Sequence, residues 1–116
     1  MTDAESRLDT STAHVARRYN YWLGGKDNFA VDRDSGDAIE KLYPGVVNDA
    51  RVNRRFHART VEWLTTVQHV GQFLDIGCGI PMPADNTHDI AQAADVDARV
   101  VYVDCEDHGC VAWAGA

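Results

Sequence analysis

The stretch Phe73-Leu74-Asp75-Ile76-Gly77-Cys78-Gly79-Ile80-Pro81 decides how this chain is read. A short apolar run delivers an acid and two close glycines to one tight turn, the pattern of a buried parallel strand feeding a ligand loop. Glycines at 77 and 79 let backbone approach a ligand where any Cβ would intrude. The helix expected after the turn offers free N–H groups to a carboxylate or phosphate. By themselves the glycines fit a tight βα turn equally well. A second β-rich run, Arg99-Val100-Val101-Tyr102-Val103-Asp104, ends in another acid. An acid at that strand end can accept two ribose hydroxyls, and a βαβ crossover puts it beside the loop. The two acids together favour a cofactor loop.

Around this core the periodicity predicts a strand over 72–76 and a turn to about Asp85. A helix capped by Asn86 or Thr87 should follow, then a strand over 99–103. Upstream, residues 1–10 are polar and aperiodic, and Thr10 or Ser11 is placed to cap a helix running to Leu23, where Gly24-Gly25 stops it. Lys26-Asp27-Asn28-Phe29 becomes a polar loop. Asp32 then caps a second helix that Pro44-Gly45 ends, and a third runs from about Val47 to Gln68. In the third helix Val52, Phe56, Trp63 and Val67 share one face and read as its buried stripe. Arg51, Arg54, Arg55 and Arg59 read as a solvated face. The chain is therefore α/β, with N-terminal helices (1–71), one βαβ unit (72–104) and a tail (105–116).

Composition narrows the functions. With 18 acidic and 11 basic residues the formal net charge is −7, which opposes phosphate-backbone binding and leaves no polybasic membrane patch. No nucleic-acid or membrane partner is expected, and the N-terminus lacks the pattern of a secretory leader. A cytoplasmic protein is the default. Three cysteines without C-x-x-C spacing indicate reduced thiols and no metal site, although Cys105, His108 and Cys110 cluster in the tail. His88 reads as an exposed histidine near a helix cap, and Asn86 as a cap whose amide faces the loop.

A dinucleotide fingerprint needs a third glycine three positions after Gly79, where Met82 stands. The D-x-G-x-G form of Asp75, Gly77 and Gly79 instead resembles the first motif of class I S-adenosylmethionine-dependent methyltransferases. Two longer strings resemble one bacterial family of such enzymes, first catalogued as a domain of unknown function. One runs from Ala16-Arg17-Arg18-Tyr19-Asn20-Tyr21-Trp22 through Gly24-Gly25-Lys26-Asp27-Asn28-Phe29 to Arg33. The other covers Phe73–Pro81 and Asn86-Thr87-His88-Asp89-Ile90-Ala91-Gln92. Tyr43-Pro44-Gly45 and Asn53-Arg54 also fit, as far as residue 104. Asn20 stands where that family's pattern has aspartate, and Cys78 where it has threonine or serine.

The resemblance implies a Rossmann-like class I fold and S-adenosylmethionine as cofactor, held by Asp75, Gly77, Gly79 and Asp104. Asn28 is implied as a polar contact from a loop over the pocket. The activity implied is methyl transfer to an unidentified acceptor. The tail after Asp104 departs from the family's acid, N-D-P and apolar helix, and the class I sheet has about seven strands. The chain thus reads as the truncated front of such an enzyme. Two strands with open edges predict self-association. The alternative is a non-catalytic remnant or a helix-rich interaction module.

Overall fold

The first helix starts later than Thr10-Ser11 suggests, because the Ser11 N–H and hydroxyl both turn back to the Asp9 carboxylate. The computed structural model describes residues 9–106 and 109–115, with side chains through Cys105. Helix α1 spans Val15–Trp22, and His14 caps it by accepting the Ala16 N–H at 3.2 Å. Helices α2 (Ala30–Leu42) and α3 (Val46–Thr66) follow, then β1 (Gln72–Ile76), α4 (Thr87–Ala94), β2 (Arg99–Glu106) and β3 (Gly109–Gly115). The chain divides into two compact units, Met1–Ala50 and Arg51–Ala116.

The first unit is organised by buried polar groups. Asp32, expected as the cap of α2, lies one turn inside it, and Phe29 is the N-cap. The Asp32 carboxylate accepts the Phe29 N–H at 2.9 Å, the His14 N–H at 2.9 Å and Arg17 Nε at 2.8 Å. Both partners of the ion pair are buried, Asp32 completely. The Arg17 guanidinium also donates to the carbonyls of Asp9 and Thr12 and stacks over the Phe29 ring. α1 meets α2 at Gly36, where a Cβ would press on Tyr21 and Trp22. One carboxylate therefore ties the entry to α1, its first turn and the start of α2 together.

In the second unit β1 pairs in parallel with β2, from Gln72 opposite Arg99 to Ile76 opposite Val103. β2 continues beyond Val103 and pairs antiparallel with β3, so the sheet order is β1-β2-β3. The expected two-stranded sheet with both edges open is thus corrected. Residues 109–115 cover the second edge of β2, and β1 remains an edge strand. The alternation in 99–106 and 109–115 is too short to separate from a divergent tail by pattern alone. Cys105 faces Cys110 in the register and is disulfide-bonded, where reduced thiols were expected. The Cys105, His108 and Cys110 cluster of the tail lies partly outside the described residues.

The core of this unit is Val61 of α3, Ala91 of α4, Ala98, Val100 and Tyr102, with Phe73, Cys78 and Ile90 packed against it. α3 and α4 therefore cover the sheet face carrying Phe73, Val100 and Tyr102. The buried side of α3 is not the apolar stripe. Val61 and Thr65 are buried and Arg54, His57 and Leu64 half-buried, whereas Phe56 is 69% and Trp63 51% exposed. Val61 on the buried side joins Ala91 and Ala98 in the core, and the bulky side chains fall on the other side. On the opposite sheet face Leu74 and Ile76 are exposed, at 62% and 74%. Among the described residues no helix is long and apolar enough to cross a membrane.

Replacing Asp32 by alanine leaves the Arg17 charge buried without its partner and should cost roughly 3–5 kcal/mol, read by urea unfolding. The double variant Arg17→Met/Asp32→Leu should recover most of that loss. Burial pushes the Asp32 carboxyl up, but the His14 and Phe29 N–H groups and Arg17 outweigh it and hold the group below its ordinary 3.8. Its contribution is therefore complete above about pH 4 and lost as pH falls through the lower folded value. Asp32→Asn should flatten that acid limb of the unfolding curve.

Candidate cofactor site

The turn after β1 carries its own geometric signature. Gly77 and Gly79 both sit at φ +70, a left-handed conformation that L side chains rarely adopt, and a Cβ built on either meets nothing within 4 Å. The backbone is exposed to whatever lies over the loop. The Gly77 N–H donates to Val103 O at 2.7 Å, which extends the parallel ladder into the turn. The loop is thereby carried along β2 to the position of Asp104.

Asp104 lies just beyond the last parallel pair, Ile76–Val103. Its carboxylate accepts the N–H of Gly79 and, at 2.7 Å, that of Cys105. The structure thus brings Gly77, Gly79 and Asp104 together. Asp104 is not the end of its strand as expected, because β2 runs on to Glu106. Two N–H donors leave this carboxylate with further lone pairs for two hydroxyl groups.

Asp75 points into the other side of the turn. Its Oδ2 accepts the buried Thr87 hydroxyl at 2.6 Å, and that oxygen lies 3.0 Å from His57 Nε2. Behind the loop is a cavity of about 180 Å³ lined by Arg54, Asp75, Cys78, Gly79, Asn86, His88 and Tyr102, among others. It is smaller than the roughly 300–1,000 Å³ of pockets that bury a whole drug-sized ligand. Asn86 caps α4 as expected, and its amide bonds both the N–H and the carbonyl of Met82, at 2.9 and 2.7 Å. The Asp89 carboxylate reaches back to the Asn86 N–H at 3.1 Å.

Arg54, expected on a solvated face, is half-buried and donates to the Asp85 carbonyl at 2.8 Å. His88, expected in solvent, is held against Tyr102. Its backbone N–H donates to Tyr102 Oη at 2.8 Å, and Nδ1 lies 2.6 Å from the same oxygen. The other ring nitrogen of His88, Nε2, lies 3.3 Å from the Asp89 carboxylate. Thr87 was marked only as a cap candidate and string member and Tyr102 only as a strand residue, and His57 had no motif to mark it. The usable signal was the spacing of Arg54, His57, Val61 and Thr65 along one helical face.

Asn28 belongs to the first unit, and its amide is spent there. Nδ2 donates to Asn20 Oδ1 and to the Gly25 carbonyl, each at 2.9 Å, and Oδ1 accepts from Arg33 at 2.9 Å. Asn20 is buried, and its Oδ1 also accepts the Asp27 N–H at 3.0 Å. Two donors therefore converge on that oxygen. Among the described residues no group of acids, cysteines and histidines is arranged to hold a metal ion.

Burial pushes the Cys78 thiol up to about 11, with the Asp104 and Asp75 carboxylates adding to the shift. Its thiolate at pH 8 is roughly 100-fold scarcer than that of an ordinary thiol. Iodoacetamide labelling followed by mass spectrometry should show Cys78 reacting slower by about that factor, and Asp104→Asn should speed it. Gly79→Ala should cost about 1–2 kcal/mol through backbone strain alone, since the space is open.

Comparison with known proteins gives a consistent picture. A family model described as S-adenosyl methyltransferase matches residues 1–116, including the tail that sequence reading set apart. The chain is similar to the crystal structure of a DUF574 family protein from Streptomyces avermitilis, with TM-score 0.82 and 44% identity over 85% of this chain and 37% of that one. It is also similar to a protein from Thermobifida fusca classed as a candidate methyltransferase, with TM-score 0.81 and 43% identity over 90% of this chain and 39% of that one. The chain therefore spans under two-fifths of either relative. Among curated proteins none matches.

Proposed function

The chain belongs to the S-adenosyl methyltransferase family, and we propose that residues 72–106 form the cofactor-holding part of an enzyme that methylates an as yet unidentified acceptor. The observation that carries this reading is the bond from the Gly79 N–H to the Asp104 carboxylate, because it joins the glycine turn and the second acid in one site. The family's cofactor is S-adenosylmethionine. When bound, it supplies a methyl group on a charged sulfonium, already activated for transfer.

Each residue has a role that follows from its chemistry. Gly77 and Gly79 present open backbone to the ligand. The remaining lone pairs of Asp104 accept the ribose hydroxyls, and its present bond to Gly79 keeps the carboxylate oriented until they do. Asp75 acts at the base of the loop, through Thr87. Asn28 shapes the Gly25–Phe29 loop through Asn20, and any contact it makes with cofactor uses surface that this loop presents. The protein's contribution to rate is chiefly alignment of acceptor and methyl, and no general base is assigned to this stretch of chain.

The same reading places the protein in the cytoplasm, where an enzyme draws on an intracellular cofactor pool. It also includes self-association. β1 is an edge strand, and its Leu74 and Ile76 side chains are exposed, so a second chain can pair there.

Isothermal titration of the chain with S-adenosylmethionine and S-adenosylhomocysteine should give saturable binding. Asp104→Ala should weaken it by roughly tenfold or more, the effect of losing a charge-assisted bond pair. Absence of binding in the wild-type chain would favour a non-catalytic remnant or interaction module.

A further inference from the structure

His57 lies in no motif, yet it stands at the junction of three elements. It projects from α3 and is half-buried, and its Nε2 is 3.0 Å from the Thr87 hydroxyl at the first residue of α4. That hydroxyl is 2.6 Å from Oδ2 of Asp75 near the end of β1. His57 Nε2 itself is 3.9 Å from the same carboxylate oxygen. The chain histidine–threonine–carboxylate therefore spans α3, α4 and β1 directly beneath the Gly77–Asn86 turn.

The direction of each bond follows from counting protons. A carboxylate has only lone pairs to offer, so at 2.6 Å the threonine proton lies between Oγ1 and Asp75. Thr87 Oγ1 has then only lone pairs left for His57, and Nε2 must bring the proton. The reverse arrangement would leave two oxygens facing each other at 2.6 Å with no proton between them. Burial lowers the His57 pKa against the raising effect of Asp75, with Arg54 lowering it further. At neutral pH the ring therefore holds one proton, and Thr87 decides which nitrogen carries it.

We propose that His57 is a positioning residue for the cofactor loop, donating from Nε2 to Thr87 so that Thr87 in turn locks the Asp75 carboxylate and sets the two ends of the loop. The proposal rests on the reading of that loop as the cofactor site. It assigns Asp75 an indirect role, which separates it from Asp104, whose free lone pairs face the ligand side. Protonation of His57 keeps Nε2–H in place, so the relay persists in the imidazolium form.

Long-range ¹⁵N–¹H correlation spectra of the full chain test the proposal without cofactor. His57 should show a protonated Nε2 and a bare Nδ1 at neutral pH. The amides of residues 77–79 and 86–88 should shift in Thr87→Val and His57→Leu, and return near their wild-type positions in Thr87→Ser and His57→Gln, which restore the hydroxyl and the donor. A protonated Nδ1, or loop amides unmoved by Thr87→Val, would overturn it. Titration of the same variants with S-adenosylmethionine should show roughly tenfold weaker binding for the first pair and near-normal binding for the second. If the wild-type chain binds no cofactor while the spectra behave as described, the functional reading fails and the relay stands as the loop's anchor.

Discussion

Parallel pairing of β1 with β2 is the constraint from which the site follows. Parallel strands end at the same edge of a sheet, so the register that sets Asp75 opposite Tyr102 also brings the glycine turn to Asp104. The ladder does not stop at the last strand residue of β1. The Gly77 N–H continues it to Val103 O, and only then does the chain turn away in the left-handed conformation that its glycines permit. Without that rung, the start of the loop would be tied to β2 only through the longer Cys78 N–H contact to the same carbonyl and the bond from Gly79 to Asp104.

Polar groups, more than apolar ones, decide where the helices sit. Within residues 9–50 the convergence of three donors on Asp32 fixes α1 against α2, and the buried set there is Arg17, Asn20, Asp32 and Gly36, joined by Ala50. Within the second unit, Asp75 plays the corresponding part through Thr87 and His57, while Val61, Ala91, Ala98, Val100 and Tyr102 supply the apolar core. A buried carboxylate such as Asp32 is costly unless it is paired and hydrogen-bonded. Served in this way, it specifies one arrangement of the elements around it.

This polarity explains what the sequence made legible. The span of β1, the cap at Asn86 and the stop at Gly24 depend on local chemistry, and each was readable from a few neighbouring residues. The face of α3 was not. Phe56 and Trp63 outweigh His57 and Thr65 in any hydrophobic pattern, yet it is the face of Val61 and Thr65 that is buried. Likewise Asp32 looked like a cap because acids near helix starts usually are, whereas its three partners come from residues as distant as His14. The glycines and both acids of the site were visible as a motif. The roles of His57 and Tyr102 come from tertiary contact, and for His57 the sequence offers only its helical spacing with Arg54, Val61 and Thr65.

Asn20 and Gly25 show how such contacts constrain sequence change over time. A Cβ on residue 25 would fall within the Asn20 amide, while the oxygen of that amide holds Asp27 and Asn28 in place. The two positions are therefore not free to drift independently. An acceptor at 20 demands glycine at 25, and loss of the glycine would first require a smaller residue at 20 and a different way to hold the loop. The glycine doublet after α1 is in this sense an evolutionary linkage: its first member is kept by backbone conformation, its second by the side chain it leaves room for.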